Sequence, residues 1–126
     1  MDIIVTVPKS ELKNILKERV WAEKEGAKAQ KYWRVSKKCT DTIPKNLQPG
    51  DRVYFVEDGK ITCWQEFVQR DYYFDDEEHP DSFYCEVTDR EWGPGTYLVL
   101  KHPVHALKQT VSMRGFQGYR YTNRIE

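Results

Sequence analysis

A chain of 126 residues holds one domain and one core, because a domain of this size buries roughly two thirds of the surface that its unfolded chain exposes. Formal net charge is zero, and aromatic residues reach 13% against a hydrophobic total of 39%, so rings must supply much of the buried area. No apolar run approaches the ~18 residues that cross a bilayer, and MDIIVTVPKS has neither a basic leader nor a small-residue cleavage site, which leads us to expect a cytoplasmic protein without a membrane segment.

Ile3 to Val7 is a β-branched run that reads as a first strand, and Pro8 suits the first position of a helix, where its missing N–H is no loss. Leu12, Ile15, Leu16 and Val20 then form one apolar stripe, with Glu11, Lys13, Lys17, Glu18 and Glu23 toward water and Gly26 as the stop. Lys28 to Lys38 carries five bases, Lys28, Lys31, Arg34, Lys37 and Lys38, and no acid, with Tyr32, Trp33 and Val35 between them. A loop and turn from Ile43-Pro44 to Pro49-Gly50 lead into a hairpin of Arg52 to Glu57 and Lys60 to Trp64. Asp58-Gly59 supplies the positive φ values that its type I′ turn needs.

Arg70 to Ser82, RDYYFDDEEHPDS, reads as a long exposed acidic loop. Phe83 to Val87 and Thr96 to Lys101 are strands by composition, separated by the Gly93-Pro94-Gly95 turn, and His102-Pro103 closes the second of them. Val104 to Val111 reads as a short helix or turn resting on Ala106, Leu107 and Val111. The tail MRGFQGYRYTNRIE alternates with period two and is expected to end as a strand that closes the sheet. Charge is unevenly spread: Glu57 to Glu91 has 12 acids against 3 bases, and the rest has 8 against 17. Such blocks suggest a dipolar molecule with a basic side that attracts phosphates.

Tyr32 to Lys38 is the first candidate site, with Trp33 as a face on which a base stacks and Arg34, Lys37 and Lys38 as phosphate contacts. The plainer alternative is a half-buried strand that turns Trp33 and Val35 inward. Arg114 to Tyr121, RGFQGYRY, superficially resembles the RNA-recognition octamer, but Gln117 and Gly118 break the match. Arg114, Phe116, Tyr119 and Arg120 remain as candidate contacts, against the alternative of a tight edge strand. His102 and His105 with Cys85 or His79 lack the paired spacing of a zinc site, and Asp75 to Glu78 with Asp81 lacks the pattern of a calcium loop, so neither metal nor cofactor is expected. The three cysteines, Cys39, Cys63 and Cys85, are odd in number and widely spaced, which fits reduced thiols. No catalytic motif is present. A lysine base with a nearby hydroxyl and carboxylate, for example Lys37 or Lys38 with Thr40 and Glu57, would need only spatial convergence.

Strand, helix, W-R-V-S-K and then L-x-P-G-D-R-V-Y-F-V-x-D-G-K-I, clearest over Leu47 to Ile61, together resemble the PUA-like superfamily, particularly its small ASCH and EVE members. The resemblance covers about residues 1 to 65, and Ser36 and Lys37 stand where the EVE group has an Arg-Asn pair. It implies an α+β fold, a small, partly open β-barrel of mixed strands with one or two flanking helices, spanning residues 1–126 as a single domain. It also implies a cleft, here containing Trp33, Arg34, Ser36, Lys37 and Lys38, that binds single-stranded RNA or a modified nucleotide, with the protein expected to be a monomer. An ASCH-like hydrolase acting on a nucleoside or RNA is the alternative, weakened by the absence of the family's G-x-K-T signature. A protein-interaction module that uses the acidic loop 71–81 is the third reading.

Overall fold

The computed structural model describes residues 1–26, 29–37, 44–73, 83–85, 87–88 and 90–126. Among them, six strands form one mixed sheet in the order β2-β7-β4-β3-β1-β8, with one α-helix on it, an α+β fold. The strands are β1 (Asp2–Thr6), β2 (Gln30–Ser36), β3 (Arg52–Glu57), β4 (Lys60–Tyr73), β7 (Gly95–Ser112) and β8 (Tyr119–Thr122). β5 (Phe83–Cys85) and β6 (Arg90–Trp92) pair separately as a two-stranded sheet. The helix α1 (Leu12–Glu25) follows a single 3₁₀ turn, Lys9–Glu11, for which Pro8 is the N-cap. Pro8 therefore starts a 3₁₀ turn and lies ahead of α1, outside its first turn.

The hairpin is as its sequence demands: Glu57 pairs with Lys60, and Asp58 and Gly59 have φ of 51° and 79°, the left-handed pair of a type I′ turn. Its second strand, however, runs well past Trp64 to Tyr73, so the first residues of the expected acidic loop, Arg70 to Tyr73, are strand paired with β7. Residues 74–82 of that loop, with His79, lie outside the described residues, as do Lys28, Lys38, Cys39 and Thr40.

Three further expectations are corrected. Val104 to Val111 is neither helix nor turn but part of β7, which continues through His102-Pro103 where an end was expected. Proline is tolerated because β7 bulges there: Lys101 faces Glu66 and His105 faces Trp64, so three residues of β7 stand opposite one of β4. Next, β8 pairs with β1 at one edge of the sheet while β2 forms the other edge, and the sheet is not closed. Closure by the tail needs a β8–β2 ladder, which the register does not contain.

The third correction concerns α1, whose buried residues are Ile15 and Ala22, while Leu16 and Val20 of the expected stripe are exposed. Glu18 and Arg19 point inward instead and form ion pairs with Lys31 and Glu57. The side of α1 that meets the sheet thus carries Ile15, Ala22 and two charge pairs, and Leu16 and Val20 lie away from it.

Side-chain parity divides the core into two faces. Ile3, Val5, Val53 and Phe55 pack with Leu47, Cys63, Phe67, Leu98 and Leu100 on the face that α1 covers. Ile4, Tyr54 and Val56, their alternates along β1 and β3, pack with Ile61 and Leu107 on the other. Along β4 the same alternation meets several bulges. Each such bulge bends a strand locally, and β4 is 14 residues long.

Candidate functional site

Between α1 and the edge strand β2 lies a cleft of about 190 Å³. β2 places Lys31, Trp33 and Val35 at alternate positions on its helix-facing side, and the helix contributes Asn14, Ile15 and Glu18 one turn apart, below Glu11 of the 3₁₀ turn. Trp33 is half-buried, with its ring edge-on to Phe55 at 5.5 Å between centroids. Lys31 is nearly buried, ion-paired with Glu18, and its Nζ stands 5.8 Å from the centre of the Trp33 ring. Asn14 Nδ2 donates to Glu11 Oε2 at 3.2 Å. Trp92, from the small second sheet, completes the wall.

Arg34 alternates with Trp33 and leans onto the opposite side of β2, yet it reaches the cleft mouth. Its guanidinium donates to the Pro94 carbonyl at 3.4 Å, and it pulls against the burial that raises the Tyr97 phenol above its ordinary range. Gly95, at φ 148°, is required here: a Cβ would run into the Ser36 carbonyl and press on the Arg34 side chain. Burial, then the Asp71 charge, also raises the Tyr32 phenol, so both tyrosines beside this strand stay neutral donors at ordinary pH. The cleft is aromatic and charge-balanced, because Lys31 and Arg34 stand against Glu11 and Glu18.

Of the remaining candidates, Ser36 is half-buried opposite Thr96 and Lys37 is exposed. Tyr119 packs on the same core face as Trp33, edge-on to Tyr121 at 5.6 Å. Phe116 and Arg120 belong to the other face, with the Arg120 guanidinium 4.2 Å from the Phe116 ring centre. Arg114 is exposed on the chain leading to them. The candidates thus fall into two groups, at opposite edges of the sheet and partly on opposite faces. Glu57 is held beneath α1 by Arg19, while Lys38 and Thr40 lie outside the described residues. Cys63 also accepts from Arg19, at 3.3 Å, but burial outweighs that contact and pushes its thiol up to about 11. It is a core residue rather than a nucleophile.

Sequence reasoning passed over Glu11, Asn14, Glu18, Lys31 and Trp92. Strand alternation already puts Lys31 with Trp33, and helical spacing already joins Glu11, Asn14 and Glu18. Nothing local marks Trp92, which reaches the cleft through long-range packing alone. Among the described residues, no three His, Cys, Asp or Glu side chains stand close enough together to hold a metal ion, and no helix is long and apolar enough to cross a membrane. No protein-family model matches the chain, and no curated protein or solved structure matches it.

Proposed function

We propose that the protein recognises one base of a single-stranded RNA, or a modified nucleotide, in the cleft between α1 and β2. The observation that carries this reading is that Trp33 and Trp92, distant in sequence, line one cleft together with Glu11, Asn14 and Arg34. An indole face stacks on any base for about 1–3 kcal/mol. An amide that both donates and accepts, beside a carboxylate that accepts, is the chemistry that tells one base edge from another. A volume of about 190 Å³ is below the roughly 300–1,000 Å³ of pockets for drug-sized ligands, which favours a single planar heterocycle. Arg34, Lys37 and Lys38 are the proposed phosphate contacts, and Arg114 and Arg120, with Phe116 and Tyr119, would engage the strand beyond. On this reading the six-stranded sheet is the partly open barrel of a PUA-like, ASCH- or EVE-type domain.

Fluorescence titration with single-stranded RNA and with free nucleosides tests this. Asn14→Leu and Trp92→Ala should each weaken binding about tenfold at every salt concentration. Arg34→Ala should instead reduce the slope of log affinity against log salt by about one unit. RNA, single-stranded DNA and nucleosides all binding no better than to an unrelated neutral protein would overturn the proposal. A second reading, a small hydrolase acting on a nucleoside, is favoured by the Lys31 and Glu18 pair in the same cleft, a combination suited to proton transfer. Its test is turnover of a nucleoside panel by the wild type and not by Lys31→Met.

A further inference from the structure

α1 has a second face whose composition is unlike that of an ordinary solvated helix. Its outward side chains are Lys13, Lys17 and Lys24 with Leu16, Val20 and Trp21, and the last three are 59%, 55% and 37% exposed. Leu16, Lys17, Val20, Trp21 and Lys24 line an open groove of about 420 Å³, with Val87 as the opposing wall. None of the three lysines has an acid three or four residues away in either direction, and Lys13 and Lys17 are themselves four apart. Solvated helices usually interleave opposite charges at that spacing, and like charges there are destabilising. Of the three acids of α1, Glu18 is turned inward onto Lys31, Glu23 lines a separate cavity with Arg19 and His102, and Glu25 is exposed at the last position of the helix.

From this we infer that the outward face of α1 docks an acidic, apolar-anchored protein segment. Charge complementarity selects the partner. The lysines run along the middle of the face, with Leu16 and Val20 on one side and Trp21 on the other. A partner must therefore bring carboxylates to the centre and apolar side chains to the flanks. A lipid surface fits poorly, because an amphipathic helix that lies in a bilayer puts its apolar residues at the centre and its lysines outside. A second copy docking through the same face would set lysine against lysine. RNA would satisfy the lysines but leave the aliphatic Leu16 and Val20 uncovered. The tryptophan and the groove beside it provide the buried anchor on which protein interfaces concentrate their affinity, and the lysine row steers an acidic partner toward it.

The probe is a synthetic helical peptide with a line of glutamates flanked by leucines, titrated against isotope-labelled protein and read by amide chemical shifts. The expected result is saturable shifts confined to Lys13–Lys24 and Val87. Affinity should fall at least tenfold when the glutamates become glutamines, and again for Lys13→Glu/Lys17→Glu. A peptide with lysines in place of the glutamates should restore binding to that charge-reversed variant. All substituted residues are exposed, so the spectrum itself reports that the fold persists. Equal binding of the glutamate and glutamine peptides would overturn the inference. So would shifts of these resonances by phosphatidylserine vesicles or oligouridine RNA without shifts by the peptide.

Discussion

The two faces of the sheet handle charge in opposite ways. Beneath α1, Lys31 is paired with Glu18 and Arg19 with Glu57, and these side chains are between 6% and 20% exposed. On the other face, Arg52 lies 3.8 Å from the Trp64 ring centre, His105 stacks on the same ring at 4.1 Å, and Arg120 covers Phe116. Removed from water, a charge needs a counter-charge, because desolvation exceeds what packing returns. At the surface a guanidinium keeps its hydration and needs only an aromatic face. The covered face is therefore where single substitutions should be severe, and the open face is where they should be mild.

The largest expected effect is at Lys31. Lys31→Ala strands Glu18 in a desolvated site and should cost about 3–5 kcal/mol, whereas Lys31→Met/Glu18→Leu should cost much less. Urea unfolding of Lys31→Ala and of the double variant measures the difference, and equal losses in both would break the contrast between faces.

A smaller effect is expected from pH. Burial, then the charges of Lys31 and Arg19, hold the His102 imidazole below its ordinary range. The folded state therefore binds the proton less readily than the unfolded chain, and the stabilisation that neutral His102 permits is full above about pH 6.5 and is lost as pH falls below it. Urea midpoints from pH 8 to pH 5 should drop in the wild type and drop less in His102→Asn. Parallel curves would show that His102 does not carry the dependence.

On the open face, Arg52 donates to the Tyr54 hydroxyl at 3.2 Å and to the Glu126 carbonyl at 2.8 Å besides covering Trp64, so Arg52→Ala should cost about 1 kcal/mol. Arg120→Ala, which loses one ring contact, should cost less than about 1 kcal/mol. Thermal unfolding that ranked Arg120 with Lys31 would invert the comparison.

Sequence legibility follows the same division. The Asp58-Gly59 turn, the strands flanking it and the helix stop at Gly26 were legible because each depends on a few adjacent residues and their φ values. The part of the candidate site on β2 was legible as an aromatic, basic strand, but its electrostatic character was not. Lys31 was read only as one more base of that segment, and it is committed to Glu18. The rotation of α1 was misread for a related reason. A stripe count ranks leucine and valine above glutamate and arginine, and it contains no term for ion-pair partners that arrive from other strands.

By itself the sequence determined only the most local geometry: the Asp58-Gly59 turn, the helix stop at Gly26, and the alternation of side chains along β1 and β3. Tertiary structure alone decided which face of α1 is buried, that Trp92 joins Trp33, and that Phe116 and Arg120 lie at the edge opposite β2. Those outcomes depend on contacts between residues tens of positions apart, whose energies follow from desolvation and pairing in the assembled core and have no counterpart in any short stretch of sequence.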